Sequence, residues 1–356
     1  MRIHTDFPGA NIEVYEKNEG IVKVRPQLRD TTTDWFYWAF CVEGAQGQTW
    51  TFDFSGKNYI GYFGPAVSRD LEDWHWAGSE TLDGYSRFTY HFGPEEKRVY
   101  FAHNMVYLPE RFYRFAEVYN IPIKTLVNSE KGNPVDIAEF GEGDAYIVLT
   151  SRHHACESTG TYVMEGMLKE FYTRPVKGLK VLAVPFIDID GVINGDQGKN
   201  RYPHDHNRDY LPNPIYRSTA ELMEYTKDKN VKYMLDLHSP WHFGGRNDTC
   251  FVVHAIEGMK EKYNRFGKIL EEITGKDPGS MQYCKDNNID INVEWNVGGT
   301  PTCSRYFGVK PGIEMSFTFE TAYFGTADNM VSQDRLIRLG ENLARAVKAF
   351  NDLQGR

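Results

Sequence analysis

His154 and Glu157 stand three residues apart in Ser-Arg-His-His-Ala-Cys-Glu, directly after an apolar run at 145–150 that reads as a strand. On a first helical turn or in a tight loop both side chains can face one point. Imidazole and carboxylate are suitable zinc donors. Alone the pair is a weak signal, because an acidic residue at a helix N-terminus also complements the helix dipole. Neither His-Glu-x-x-His nor His-x-x-Glu-His is present. Three further polar clusters follow. His238 ends the buried-type strand Tyr-Met-Leu-Asp-Leu, Glu320 ends Phe-Thr-Phe, and His206-Asn207-Arg208-Asp209 lies in a polar loop at 188–214. Ligands gather at the carboxyl ends of strands in open α/β sheets, and loops of that length in compact domains are usually functional. A structural histidine, an edge-strand charge and a solvated turn would explain the three clusters singly.

The elements that must position these residues fall into two textures. Before residue 107, short aromatic runs at 35–42, 49–54, 87–92 and 98–102 alternate with turn residues such as Gly-Ala-Gln-Gly and Gly-Pro-Glu-Glu. Alternation in Thr-Phe-Asp-Phe and Arg-Phe-Thr-Tyr-His-Phe predicts sheets with one buried face. This half is expected to be an N-terminal antiparallel β-sandwich spanning 1–106. From 107 to 356, strands at 145–150, 180–187, 233–237, 251–254 and 313–319 alternate with helices at 159–171, 218–229, 258–274 and 328–353. Such alternation implies an α/β domain with a mixed, largely parallel sheet covered by helices on both faces.

The composition narrows the function classes. Hydrophobic residues make up 41% and charged residues 25% of 356, a globular balance, and the length buries a core without disulfides or a structural metal. A net charge of −9 gives no excess of Lys and Arg for a phosphate backbone, so nucleic acid is not an expected partner. The longest apolar runs, 145–149 and 181–187, are far too short to span a bilayer. The first residues carry early charges and no apolar centre, so a secretory signal is not expected there. Five cysteines without Cys-x-x-Cys pairing fit a reducing compartment, and the expected location is cytoplasmic.

Taken together, the clusters appear in a known order. The chain resembles the zinc carboxypeptidase family typified by carboxypeptidase A, most closely its cytosolic carboxypeptidase branch, over nearly its whole length. Arg152, His154 and Glu157 match Arg-x-His-x-x-Glu after a strand. The run at 190–195 matches an Asp-Gly-Val-Ile-Asn-Gly-like turn, and Asn207-Arg208 an Asn-Arg pair. His238 matches the third ligand, and Thr318-Phe319-Glu320 a Thr-x-Glu. The branch also carries an N-terminal β-sandwich, with aromatic stretches like those at 34–40 and 73–78.

The resemblance implies one zinc ion on His154, Glu157 and His238, with a position left open for water whose pKa falls toward about 7. It implies Glu320 as the base that takes the water proton and returns it to the leaving amine. Arg208, aided by Asn207, clamps the terminal carboxylate of a peptide or protein substrate, and Arg152 is counted with these substrate-binding residues. A second arginine should stabilise the oxyanion; Arg201 is the candidate and Lys199 the alternative. The family's mobile tyrosine has no clear match, since that region reads Trp-Asn-Val-Gly-Gly at 295–299, with Tyr306 the nearest later tyrosine. Arg305 and Lys310 are the basic residues in the stretch that would set side-chain preference. A proline after the His238-Ser239 dipeptide predicts a cis Ser239–Pro240 bond, where proline lowers the cis penalty. Two rivals keep similar ligands: a deacylase of N-acyl amino acids of the aspartoacylase type, and a binding protein that lost its chemistry. Retained Glu320 argues against the second. The sandwich and Asn207-Arg208 favour peptides over the first.

Overall fold

The computed structural model describes residues 1–354. Ten strands precede residue 103: β1 Arg2–His4, β2 Glu13–Asn18, β3 Ile21–Arg25, β4 Ala39–Glu43, β5 Thr49–Asp53, β6 Ala66–Ser68, β7 Trp74–Trp76, β8 Leu82–Asp83, β9 Arg87–His91 and β10 Arg98–Ala102. They form two five-stranded sheets, ordered β1-β4-β10-β6-β7 and β2-β3-β5-β9-β8. All pairs are antiparallel except β3 with β5, which is parallel and departs from the purely antiparallel expectation. Trp38, Phe40, Phe52, Phe88 and Phe101 fill the space between the sheets, with ring centroids 4.9–6.0 Å apart. The aromatic run expected as a strand from 35 becomes one only at Ala39. Residues 35–38 lie outside the ladder: Trp38 turns its ring into the sandwich, whereas Trp35 and Phe36 pack against Trp241 and His242 of the second half.

After α1 Pro109–Tyr119 the chain builds β11 Ile123–Asn128, β12 Pro134–Gly141, β13 Gly143–Ser151, α2 Thr159–Thr173, β14 Gly178–Val184 and α3 Ile189–Asn194. It continues with α4 Arg217–Tyr225, β15 Asn230–His238, β16 Phe251–His254, α5 Lys260–Gly275, α6 Cys303–Gly308, β17 Met315–Glu320, β18 Gly325–Thr326, β19 Asn329–Met330 and α7 Gln333–Gln354. Seven strands form one mixed sheet, β11-β12-β14-β13-β15-β17-β16, whose four central members β14, β13, β15 and β17 are parallel. The pairs at either side are antiparallel. Central strands such as Tyr-Met-Leu-Asp-Leu-His are buried throughout, as parallel strands covered on both faces must be. The helix α2 is apolar nearly all round because α7 packs on it. Gly166 and Gly340 make that crossing possible, since a Cβ on either would lie 1.9 Å from a carbonyl oxygen of the other helix. The β11–β12 hairpin, α1 and α6 are absent from the sequence reading, although α1 buries Phe112, Phe115 and Ala116 at helical spacing. No helix among the described residues is long and apolar enough to cross a membrane.

The two halves share one hydrophobic core, and two buried histidines sit where they meet. Phe36 stacks on His242 (4.5 Å, 11°), lies 4.7 Å from His103 and meets Tyr323 edge-on at 5.6 Å. His103 has no partner on either ring nitrogen, nor has His242 Nδ1. Burial therefore favours the neutral imidazoles, lowering His103 well below its ordinary value and His242 to about 3. The unfolded chain protonates both near 6.5, so it binds more protons than the folded chain below that pH. Stability is thus complete above about pH 6.5 and falls as pH drops toward 3, by up to about 1.4 kcal/mol per unit for each histidine. Urea denaturation between pH 7 and 4 should show this loss, and His242→Phe, which keeps the stack on Phe36, should flatten it.

Candidate active site

The parallel strands β13, β15 and β17 bring the predicted ligands together at their carboxyl ends. His238 and Glu320 are register partners on adjacent strands, and Ser151 pairs with Leu237 one step back. Beyond Ser151 the backbone turns sharply through Arg152, at φ 60°, a left-handed conformation that a non-glycine residue adopts only when its surroundings hold it. Arg152 supplies part of that hold. Its Nε donates to the Ala155 carbonyl at 2.8 Å and its Nη1 to the Tyr107 carbonyl at 3.0 Å. The side chain is buried under the turn and lines neither site cavity. The substrate-binding expectation for Arg152 is therefore corrected: its guanidinium is consumed by backbone.

His154, Glu157 and His238 present donor atoms within 4.8 Å of one another. His154 Nδ1 and His238 Nδ1 each lie 2.7 Å from a different Glu157 oxygen and 3.2 Å apart. Their outer nitrogens face other carboxylates. His238 Nε2 lies 2.9 Å from Asp236 Oδ2, and His154 Nε2 lies 3.6 Å from Asp205 Oδ1. This arrangement turns each inner nitrogen toward the shared centre and raises its basicity. His153 extends the support, reaching Asp236 through Nδ1 at 2.8 Å and Tyr210 through Nε2 at 2.7 Å. Burial works against a charged His238, but Asp236 and Glu157 outweigh it and raise its pKa well above the ordinary value. A divalent cation held by Glu157 and the inner nitrogens would take the place of the proton on His238, so its binding would release protons. Two imidazoles and one carboxylate with an open side fit a zinc-type centre.

Two cavities open onto this cluster. The smaller, about 70 Å³, is lined by Asn207, Arg208, Arg305, His254, Ser304 and Glu320, among others; the larger, about 670 Å³, shares Lys199, Arg208, Trp295 and Glu320 with it. Glu320 Oε2 and Arg208 Nη1 are buried with no hydrogen-bond partner, so each faces the cavities unpaired. Burial, reinforced by Glu157, holds the Glu320 carboxyl above its ordinary range against the pull of His238 and Lys199. Asn207 spends its Oδ1 on the Cys303 amide at 3.0 Å and sets its Nδ2 3.3 Å from His238 Nε2. Trp35 from the N-terminal half, Pro240 and Trp241 form one wall of the larger cavity.

Arg201 is not in either cavity. Its three nitrogens reach Asp188 at 2.7 Å, Asp30 at 3.1 Å and Asp196 at 3.2 Å, so the oxyanion expectation moves to the alternative, Lys199. Arg305 lines the smaller cavity, whereas Lys310 is turned to the Thr226 carbonyl. Tyr306 also lies outside both site cavities, and the mobile-tyrosine region instead supplies Trp295 to both. Among the described residues the only cis peptide is Tyr202–Pro203. Ser239–Pro240 is trans, contrary to expectation, and the Ser239 amide instead points to Glu157 Oε2 at 3.2 Å. The sequence reading missed Asp236 and His153. An aspartate inside an otherwise apolar buried strand was the available signal.

Compared by sequence, the chain matches no protein-family model and no curated protein. Compared by structure, it is similar to a metallo-carboxypeptidase from Burkholderia cenocepacia, at TM-score 0.80 over 99% of both chains with 17% identity. A metallo-carboxypeptidase from Pseudomonas aeruginosa, solved with (2-guanidinoethylmercapto)succinic acid, gives 0.78 over 99% of both chains at 20% identity. The chain has the metallo-carboxypeptidase fold. Bovine thrombin-activatable fibrinolysis inhibitor, in complex with tick carboxypeptidase inhibitor, shares this carboxypeptidase fold over 70% of this chain and 98% of its own, at TM-score 0.53 and 13% identity. The two bacterial carboxypeptidases instead match the chain end to end, both halves included.

Because Asp236 holds His238 from behind, Asp236→Asn should weaken divalent-metal affinity by about 10- to 100-fold. Competition against a chromophoric chelator measures this directly. His238→Ala should abolish stoichiometric binding in the same assay.

Proposed function

We propose that the protein is a zinc-dependent metallocarboxypeptidase that removes C-terminal residues from peptides or proteins. One observation carries this reading. A three-donor cluster, an unpaired carboxylate and an unpaired guanidinium face the same small cavity. The N-terminal sandwich supports a place nearest the cytosolic branch that the motifs resemble.

A zinc ion held by His154, Glu157 and His238 supplies Lewis acidity to water and to the scissile carbonyl. The chain's own residues do the rest. Glu320, kept basic enough by burial to hold a proton near neutrality, accepts the proton of the attacking water and delivers it to the leaving amine. Arg208 receives the substrate's terminal carboxylate, and its unpaired Nη1 is the donor left for that bond. Lys199, whose charge already acts on Glu320 and Asp205, is the cation placed to stabilise negative charge on the carbonyl oxygen. Arg305 is oriented by the carbonyls of Val297 and Thr300 and by Asn296, at 2.6, 2.9 and 2.7 Å. Its partners are all neutral, which favours an acidic side chain on the terminal residue.

Replacing Arg208 with Ala should lower kcat/KM on free C-termini by about 10- to 100-fold, the value of a charge-assisted bidentate contact. Lys should rescue only part, because it restores charge without the fork. Amidating the substrate C-terminus should cost as much, and the two losses should not add. Equal cleavage of amidated and free peptides by the unmodified protein would move the assignment to an amidase. Glu320→Gln should retain metal while lowering kcat by about 100-fold or more.

A further inference from the structure

The loop 194–201 passes between the N-terminal sandwich and the metal-ligand turn, held on both sides. From the sandwich side, Asn11 Nδ2 donates to the Gly195 carbonyl at 2.6 Å, and the Gln197 side chain donates to and accepts from the Tyr37 backbone at 2.8 and 2.9 Å. Arg29 Nε pairs with Asp196 at 2.9 Å, and the Thr32 amide donates to the Asn200 carbonyl at 3.1 Å. Asp30 makes the densest set. One oxygen accepts the Gln197 amide at 3.0 Å; the other accepts the Gly198 amide at 2.7 Å and Arg201 Nε at 3.1 Å.

On the opposite side the loop has no slack. The Gln197 carbonyl accepts the Cys156 amide at 3.3 Å. A Cβ on Gly198, which has φ +76°, would lie 2.0 Å from the Ala155 nitrogen beside the ligand His154. Retreat is closed as well, because a Cβ on Gly195 would lie 2.2 Å from the Ala10 carbonyl oxygen. The next residue after this clamp is Lys199, which lines both cavities together with Glu320. A lysine has four rotatable side-chain bonds, so the direction in which it leaves the backbone decides where its charge can act.

We propose that Asp30 is a positioning residue for the reaction: by fixing the amides of Gln197 and Gly198 it aims Lys199 at the scissile carbonyl. The sandwich thereby completes the catalytic site. The inference rests on the role given above to Lys199. Asn11, Arg29 and the Gln197 side chain continue to dock the loop when Asp30 is altered, so the effect falls on Asp30's own partners, the Gln197 and Gly198 amides and Arg201, which flank Lys199 on both sides.

The test is a double-mutant cycle on the metal-loaded full chain, with kcat, KM and metal content read for Asp30→Ala, Lys199→Ala and the pair. Asp30→Ala should lower kcat about tenfold, the scale of a misplaced oxyanion cation, with KM and metal content unchanged. In the Lys199→Ala background it should cost less than about twofold. Asp30→Asn, which keeps the size but loses an acceptor, should reproduce the kcat loss if the alanine variant folds poorly. Independently of turnover, the rate of Lys199 acetylation by acetic anhydride, read by peptide mass, should change at least about threefold in either Asp30 variant. Equal losses in both backgrounds would overturn the proposal, as would loss of metal or a rise in KM with kcat intact. If Lys199→Ala leaves kcat intact, the Lys199 role fails and this proposal with it. If no peptide with a free C-terminus is cleaved, the peptidase reading fails. The acetylation rate then decides the positioning on its own, and an unchanged rate overturns it.

Discussion

Two imidazoles can turn the same nitrogen toward one centre only if their other nitrogens are held from behind. Asp236 does this for His238 at 2.9 Å, while Asp205 stands 3.6 Å from the outer nitrogen of His154 as a nearby negative charge, and much of the architecture exists to put them there. Asp236 lies two residues before His238 on one strand, so its side chain leaves the same face of the sheet. Parallel pairing with β13 then sets the turn containing His154 beside it, and pairing with β17 sets Glu320 opposite His238. A slip of one residue in either register would turn these side chains to the other face.

Such a site is costly for the fold. Glu157, Asp236, His153, His154, His238 and Glu320 are all buried, and buried charges contribute little net stability even when paired. The cluster tolerates its burial because nearly every polar atom has a partner within the cluster or can share a cation. Among the atoms that lack one are Glu320 Oε2 and Arg208 Nη1, which the proposed chemistry employs. An unsatisfied donor and acceptor at a cavity wall are destabilising groups retained where a substrate can satisfy them.

The N-terminal sandwich belongs to the same physical unit. Its aromatic run does not finish as a strand; residues 35–38 leave the ladder, and Phe36 and Trp35 pack on His242 and Trp241 next to the site. Asp30, Arg29 and Tyr37 bind the loop that bears Lys199. The buried histidines at this junction and the carboxylates around Arg201 make it polar as well as apolar, which fixes orientation more tightly than apolar contact alone.

The order and type of the candidate site residues were legible from the chain itself. His154, Glu157, His238, Arg208 and Glu320 each follow a strand or lie in one long polar loop, and strand and helix periods are local properties that a sequence displays directly. The five-stranded sheets, the β11–β12 hairpin and the trans Ser239–Pro240 bond were not, because they depend on partners far along the chain. Arg152, Arg201 and Lys199 show the limit most clearly. All three are cations in the turn or the polar loop that carry candidate site residues, and nothing local separates them. Tertiary packing gave Arg152 two backbone carbonyls and Arg201 three carboxylates, leaving Lys199 as the one that lines the cavities. A charge's role depends on which opposite charges and dipoles the fold brings within a few ångströms, and that is decided only when distant segments meet.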